Sequence, residues 1–303
     1  MLQGEQDVPV LEFENIHRAY QRGVDVLKGV TFTVAAGEVV GLLGKNGAGK
    51  TTLIRIAMGM LEAQRGRVRV FGLDPRQDPL PVKRQVGYVS EDQILPDFLR
   101  VSEIIKLHRD LFANWDAALE AQLTRRFTID LQQKIKNLSK GQARQVALLC
   151  AVCHRPDLLL LDEPAGGLDP AARREFLETS IQMLNESGTT ILFSSHYMSD
   201  VERLAARVVM LHGGRVLIDN HLDDLRESFS LALVPHDAAA TREWLLSLNG
   251  CLGVRERADG LHVVFRHEPD QAQQLLAREL GLPGLRCRTV ALEEMFIELA
   301  GGQ

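Results

Sequence analysis

The chain has 303 residues, of which 45% are hydrophobic and 25% charged, and its mean hydropathy is −0.06. These values are typical of a soluble globular protein of about two domains and exclude disordered, collagen-like and coiled-coil chains. Because 35 basic and 40 acidic residues give a net charge of −5, the composition does not favour nucleic acid or an anionic membrane as a partner.

Neither a membrane span nor a secretory signal is predicted. The longest apolar runs, Val146 to Cys153 and Leu158 to Leu161, are shorter than the ~18 residues of a membrane-spanning helix. The first residues lack a basic start followed by an apolar core, so a cytoplasmic location is expected. Four cysteines are too few for a disulfide-held scaffold, and we expect them to be thiols.

The first 70 residues predict short strands separated by turns. Val10 to Phe13, Val30 to Val34, Val39 to Leu43 and Val68 to Phe71 are β-branched or apolar, with glycines between them. After the third strand, a Gly-rich turn leads into Thr52 to Met60, which has the apolar spacing of a helix. The sequence therefore predicts a strand, a turn and a helix in succession.

The middle of the chain predicts helices and then buried strands. Apolar residues recur with helical period from about Leu99 to Ala151. Leu158 to Leu161 and Thr190 to Phe193 are continuous apolar runs, which are typical of parallel strands buried on both faces. Val208 to Leu211 and Arg215 to Ile218 flank a Gly-containing turn and predict a hairpin.

After about Arg226 the pattern changes and predicts a small α+β domain. The order is strand, helix, strand, strand, helix, strand, as in a split βαβ domain, followed by a last helix from Leu292 to Leu299. The predicted strands are Leu231 to Val234, Gly253 to Arg257, Leu261 to Phe265 and Leu285 to Val290, and the predicted helices are Ala239 to Leu248 and Gln271 to Leu280. We therefore expect an α/β domain at 8–225, with a helical subdomain at about 91–155, and an accessory domain at 226–303.

A glycine-rich segment after the third predicted strand has the spacing of a phosphate-binding loop. The residues that fit the pattern GxxxxGK[ST] are Gly44, Lys45, Asn46, Gly47, Ala48, Gly49, Lys50 and Thr51. Glycines let backbone amides converge on phosphate oxygens, and the N-terminus of the helix that begins near Thr52 adds its positive dipole end. Lys50 is expected to reach the β- and γ-phosphates, and the Thr51 hydroxyl to bind Mg²⁺.

Two carboxylates directly follow the leucine strand. Asp162 lies where a buried parallel strand delivers an acid to the ligand-binding edge of a sheet, which favours a position beside Mg²⁺. Glu163 is then placed to polarise a water for attack on the γ-phosphate. A solvated carboxylate with no catalytic role is the alternative for Glu163.

Further motifs in chain order resemble those of ATP-binding cassette (ABC) proteins. Leu138 to Gln142 reads LSKGQ and resembles the family's LSGGQ signature. Tyr20 resembles the aromatic residue that stacks on adenine, Asp169 resembles the D-loop aspartate, and His196 resembles the switch histidine. Packing is the alternative for Tyr20, and a core or surface histidine is the alternative for His196. The chain is therefore identified as similar to the nucleotide-binding subunits of ABC transporters.

The resemblance implies an Mg²⁺-dependent ATPase that works as a dimer. Glu163 would act as base, with Lys50 and His196 at the γ-phosphate. Ser139, Gly141 and Gln142 would contact a nucleotide held by the other subunit, which is a second copy of the chain or a related ABC ATPase. A separate transmembrane permease would contact residues around 85–110 and hold the chain at the cytoplasmic face of the inner membrane, and no nucleic acid is expected.

The sequence departs from the family pattern at two positions. Lys140 replaces the first glycine of the signature pair, which would place a bulky cation in a tight turn. Glu91 occupies the position of the Q-loop glutamine as a candidate Mg²⁺ ligand, although an ionised carboxylate cannot donate a hydrogen bond; Gln93 is the alternative after a register shift. These departures leave open a catalytically weak regulatory subunit.

Two weaker patterns indicate the branch of the family. Residues 112–116 (FANWD) and 291–296 (ALEEMF) resemble bacterial ABC-2-type export ATPases, which favours an exporter. A non-transport ABC ATPase acting on ribosomes or DNA is the alternative.

Cys150, Cys153 and His154 spell the haem-attachment string CxxCH, but they lie within an apolar helical run, so buried thiols are expected there rather than haem or zinc.

Overall fold

The computed structural model describes residues 8–21, 23–92, 95–185, 188–236, 238, 240–281 and 285–300. They divide into two compact units with the boundary between Asp219 and Asn220. The sequence places this boundary after Leu225, which is within helix α8 (Leu222–Ser228); the structure places it before that helix.

The first unit alternates strands and helices. Its strands are β1 (Leu11–Gln21), β2 (Val24–Val34), β3 (Val39–Leu43), β4 (Arg65–Val70), β5 (Val86–Val89), β6 (Leu158–Leu161), β7 (Thr190–Ser195), β8 (Arg207–His212) and β9 (Arg215–His221). Its helices are α1 (Lys50–Ala57), α2 (Pro79–Gln85), α3 (Val101–Leu111), α4 (Ala117–Arg126), α5 (Lys140–Val152), α6 (Pro170–Asn185) and α7 (Met198–Leu204).

The central sheet has the strand order β5-β6-β7-β3-β8-β9, and its neighbouring strands from β5 to β8 are parallel. Every residue of β3, β6 and β7 is buried, as expected for continuous apolar runs with helices on both faces of the sheet. The predicted α/β fold class is confirmed. Strand β5, whose short VGYV run contains a glycine, was missed by the sequence analysis although it pairs with β6 through Val86 and Leu158.

A second, antiparallel sheet has the order β2-β1-β4. Strands β1 and β2 are longer than their apolar segments indicated, because both continue through exposed polar residues such as Glu14 and Asp25. The helical pattern of 99–151 is also interrupted. This segment contains three helices, α3, α4 and α5. Asp116 caps the N-terminus of α4, where its side chain accepts a 2.8 Å hydrogen bond from the Leu119 amide.

The second unit is built around an antiparallel sheet of order β11-β12-β10-β13. Its elements after α8 are β10 (Ser230–Val234), α9 (Arg242–Leu246), β11 (Cys251–Arg257), β12 (Gly260–Phe265), α10 (Pro269–Leu280), β13 (Cys287–Thr289) and α11 (Leu292–Ala300). This is the element order the sequence predicts. Helix α9 is shorter than expected, and Ala239, where the predicted helix begins, lies outside the described residues.

Candidate active site

Three loops that carry the predicted site residues lie side by side. Strands β6, β7 and β3 are neighbours in the sheet and run in parallel, so their carboxyl ends share one edge. The phosphate-binding loop follows β3, Asp162 and Glu163 follow β6, and His196 follows β7. Segments more than 100 residues apart in sequence are thereby brought to one place.

The phosphate-binding loop is held in a conformation that requires glycine. Gly49 has a φ of +105°, and a Cβ at this position would lie only 2.5 Å from Leu27 Cδ2. Lys50 begins helix α1, is 5% exposed, and donates a 2.6 Å hydrogen bond from Nζ to the Gly44 carbonyl. The ammonium group is therefore held against its own loop, beside the helix N-terminus.

Glu163 links the other two predicted catalytic residues. Its Oε1 lies 3.1 Å from Lys50 Nζ, and its Oε2 lies 2.9 Å from His196 Nδ1. The residue is 6% exposed, and its φ of +44° is uncommon for a residue with a side chain. Such backbone strain is concentrated at functional sites, where the surrounding structure maintains it. The solvated-carboxylate alternative does not describe this buried, paired side chain.

Asp162 is only partly satisfied by its neighbours. Its Oδ1 accepts hydrogen bonds from Thr51 Oγ1 at 3.1 Å and Ser194 Oγ at 2.8 Å. Its Oδ2 is buried and has no hydrogen-bond partner among the described residues. Burial raises the pKa of Asp162, although the hydrogen bonds from Ser194 and Thr51 oppose that shift. A buried carboxylate oxygen of this kind favours a cation as partner.

Ser194 is a site residue that the sequence analysis missed. Its hydroxyl donates to Asp162 Oδ1 and accepts from the Glu163 amide, each at 2.8 Å. The side chain is fully buried at the end of β7, next to the strand that carries both acids. The available signal was a serine at the carboxyl end of an apolar strand that neighbours the acid-bearing strand.

Replacing Ser194 with alanine is expected to lower the free energy of unfolding by about 1–3 kcal/mol, because the Glu163 amide loses its partner and Asp162 Oδ1 keeps only Thr51. Chemical denaturation of the purified protein measures this change. Ser199→Ala provides a matched control, since Ser199 is exposed on α7. Equal stability of the two variants would contradict a structural role for the Ser194 hydroxyl.

A cavity of about 400 Å³ lies over the phosphate-binding loop. It is lined by Tyr20, Val26, Asn46, Gly47, Ala48, Gly49, Lys50, Thr51, Thr52, Glu91 and Glu163. Tyr20 is 54% exposed, so its ring is available to a flat ligand. Its hydroxyl lies 3.1 Å from Thr52 Oγ1. Glu91 shares the cavity with Thr51, whereas Gln93, its alternative, lies outside the described residues.

The signature residues do not line this cavity. Ser139 caps helix α5: its Oγ accepts from the Gln142 amide at 3.2 Å, and Gln142 Oε1 accepts from the Ser139 amide at 2.9 Å. Lys140 is the exposed first residue of α5. The expectation that it occupies a tight turn is therefore wrong, because a helical position accommodates its side chain. Asp169 Oδ1 accepts from the amides of Ala171 and Ala172 at 3.1 Å, next to helix α6.

A cluster of Tyr197, Arg173 and Asp200 beside His196 was also missed by the sequence analysis. The ring centroid of Tyr197 lies 3.9 Å from that of His196, and the Arg173 guanidinium carbon lies 3.3 Å from the Tyr197 centroid. Arg173 Nε donates to Asp200 Oδ2 at 3.0 Å. The helix after Asp169 therefore contacts the histidine loop through Arg173.

The CxxCH residues pack in the first unit. Cys150, Cys153 and His154 are buried, and the His154 ring stacks on Phe112 at a centroid distance of 4.0 Å. Burial lowers the pKa of His154 to about 4 and raises the pKa of the Cys153 thiol to about 12. Protonated thiols in an apolar helix are poor metal ligands.

Comparisons with known proteins agree with this geometry. The family model described as ABC transporter matches residues 27–166. NatA of Bacillus subtilis, an ABC transporter ATP-binding protein, is 36% identical over 211 residues, which are 68% of this chain and 85% of NatA. The Nod factor export ATP-binding protein I of Burkholderia orbicola is 31% identical over 310 residues, covering 97% and 98% of the two chains. The chain belongs to the ABC transporter ATP-binding family.

A solved structure of an ATP-binding subunit of an ABC transporter gives the same fold. It is 34% identical, has a TM-score of 0.65, and covers 72% of this chain and 92% of its own. This ABC subunit therefore binds ATP, and its reaction is the ATP hydrolysis that drives transport. Within the part of this ABC subunit that the structure describes, no helix has the length and apolar character needed to cross a membrane.

Proposed function

We propose that this ABC subunit hydrolyses ATP with Mg²⁺ at sites completed by a second subunit, and thereby drives export through a separate permease. The observation that carries the proposal is the convergence of Lys50, Asp162, Glu163 and His196 at one edge of the sheet. Lys50 and the loop amides would bind the phosphates, Tyr20 would stack on adenine, and Glu163 would accept a proton from the attacking water.

The residues around Asp162 fit Mg²⁺, which prefers oxygen ligands. Thr51 Oγ1, which lies 3.1 Å from Asp162 Oδ1, would bind the ion directly, and the unpartnered Asp162 Oδ2 would hold it through water. Glu91 adds a further carboxylate to the same cavity. Bound Mg²⁺ would neutralise phosphate charge, and the protein would fix its position.

Replacing Asp162 with asparagine is expected to raise the melting temperature in EDTA without nucleotide and to lower Mg²⁺-dependent turnover at least ~10-fold. Because burial raises the folded-state pKa of Asp162, its ionised form destabilises the protein at neutral pH. That penalty develops as the pH rises through the folded pKa, so the gain from asparagine should shrink in acid.

Calorimetry and steady-state ATPase assays test this prediction, with Asp110→Asn as control because Asp110 is an exposed acid paired with Lys106. A lower melting temperature together with full Mg²⁺-dependent turnover would place the metal elsewhere. The turnover number of the unaltered protein also separates a fully active ATPase from a catalytically weak regulatory subunit.

The separation of the signature residues from the cavity supports a composite site. Ser139, at the start of α5, and Asp169 are exposed and lie outside the lining of the cavity. The helix N-terminus after Ser139 is suited to bind phosphate oxygens. A second subunit, either another copy of the chain or a related ABC ATPase, would therefore present these groups to the nucleotide.

An apolar groove supports docking of the permease. A cavity of about 330 Å³ is lined by Met60, Tyr88, Leu95, Leu111 and Phe112 among others. Leu111 is 68% exposed and Met60 is 54% exposed, which is unusual for large apolar side chains that share one groove. A cytoplasmic helix of the permease would cover these side chains and hold the subunit at the cytoplasmic face of the inner membrane.

Leu111→Asp is expected to abolish co-purification with the permease while leaving the ATPase activity of the isolated subunit within about twofold, because burying an aspartate in an apolar interface costs several kcal/mol. Leu80→Asp is the matched control, since Leu80 is 67% exposed on α2 and is not among the residues that line the groove. If both variants retain the permease, the groove is not the docking site.

Export is tested by accumulation of substrate in inverted vesicles that contain the complex.

A further inference from the structure

Arg144 is a buried cation on helix α5. The residue is only 8% exposed, and its guanidinium binds two backbone carbonyls. Nη1 donates to the Pro164 carbonyl at 3.2 Å, and Nη2 donates to the Glu91 carbonyl at 3.3 Å. Pro164 directly follows Glu163, and Glu91 lines the cavity together with Glu163. One side chain therefore joins the two loops that carry these acids.

The charge of Arg144 has carboxylates as its electrostatic partners. A buried guanidinium is costly unless its charge is compensated, and the two carbonyls it binds are neutral. Burial lowers the pKa of Arg144, while the negative charges of Glu91, Glu163 and Asp92 raise it. Glu91 and Glu163 line the same cavity, and the charge of Arg144 adds to that of Lys50 in reducing the repulsion between their carboxylates.

An arginine suits this position better than a lysine. Its planar guanidinium presents several N–H donors in a fixed arrangement, so that one side chain can bind carbonyls on two different loops. Ser139 caps the same helix, and Arg144 lies little more than one turn further along α5. The side chain thereby connects the signature helix to the loop of Glu163.

We propose that Arg144 is a positioning residue for ATP hydrolysis, which holds the loops of Glu91 and Glu163 together against the repulsion between their carboxylates. This inference rests on the proposed function, in which Glu163 acts as base. Arg144 acts through Glu163: its guanidinium binds the Pro164 and Glu91 carbonyls, and it is not among the residues that line the cavity. Its importance should therefore depend on the charge at position 91.

A double-mutant cycle in the full-length chain tests this dependence through steady-state ATP hydrolysis in Mg²⁺. Arg144→Met is expected to lower kcat about 10-fold with KM for ATP within about twofold, because misplacing a catalytic group by a fraction of an ångström has effects of this order. When Glu91→Gln is already present, the same change should lower kcat about threefold or less. Equal fold losses in the two backgrounds, or no loss in either, would overturn the proposal.

The melting temperature of the same four proteins without nucleotide gives a second readout. Arg144→Met should lower it more when residue 91 is glutamate than when it is glutamine, and equal shifts would overturn the proposal. If the unaltered protein had no ATPase activity, the proposed function would fail while this thermal cycle would still decide the role of Arg144. Arg144→Gln replaces Arg144→Met in both cycles if the methionine variant does not fold. Arg144→Lys is the control, since it keeps the charge and should show the same loss in both backgrounds.

Discussion

Glu163→Gln is expected to lower kcat for ATP hydrolysis at least ~10²-fold, the contribution of a positioned general base, while ATP binding is retained. The amide has the shape of the carboxylate but cannot accept a proton from water. Glu163 lies between Lys50 and His196, at 3.1 and 2.9 Å, and its backbone amide is fixed by Ser194. The substitution should therefore remove the base and leave the phosphate-binding loop in place.

Steady-state turnover and equilibrium binding of ATP in EDTA measure the two halves of this prediction. Glu178→Gln is a suitable control, because it removes a carboxylate that is paired with Arg203 away from the cavity. Near-normal turnover of Glu163→Gln would remove Glu163 from the mechanism. Loss of binding together with turnover would instead indicate that the ion pair with Lys50 holds the loop.

Ser139→Arg is expected to abolish ATP-dependent dimerisation while leaving ATP binding by the single subunit unchanged. Ser139 is exposed at the N-terminus of α5 and lies outside the cavity, so a long cation there obstructs only a second subunit. The substitution also removes the helix cap, at a cost of about 1 kcal/mol. Loss of the cap alone is therefore reproduced by Ser139→Ala, which adds no bulk.

Analytical ultracentrifugation with Mg²⁺ and ATP measures the outcome. Ser139→Arg and Ser139→Ala are each introduced into the Glu163→Gln variant, so that ATP hydrolysis does not dissociate the dimer during the measurement. Glu163→Gln and its Ser139→Ala derivative should sediment as dimers, and the Ser139→Arg derivative should sediment as a monomer. A dimer in all three proteins would show that the start of α5 lies outside the subunit interface.

The site could be predicted from sequence where local spacing and chemistry coincide. The glycines before Lys50 and the acids after Leu161 lie in short segments whose residue types and spacing indicate phosphate and metal binding. Parallel strands bring such segments to one edge of the sheet. The structure agrees with this placement. The hairpin between β11 and β12 is also indicated locally, by Asp259 and Gly260, but its two turn residues are Ala258 and Asp259, because Arg257 lies opposite Gly260 in the pair.

Other site features depend on tertiary contacts that have no local pattern. Ser194 binds Asp162 from β7 and Arg144 binds the Pro164 carbonyl from α5, so their roles are set by which elements are neighbours in space. Gln142 illustrates the opposite case: its spacing from Ser139 matches a capping box, which the structure contains, whereas the resemblance to the signature predicts contact with nucleotide. Its contact with nucleotide remains a prediction.

The environment of the native cysteines makes the chain suitable for chemical labelling. Cys150 and Cys153 are buried, and burial raises the pKa values of Cys251 and Cys287 to about 11. Because the thiolate is the reactive form, all four should be alkylated slowly at neutral pH. A reporter thiol introduced as Lys140→Cys, at an exposed helix start, would therefore react fastest, and the rate at which a fluorescent maleimide attaches would follow the covering of that surface in real time.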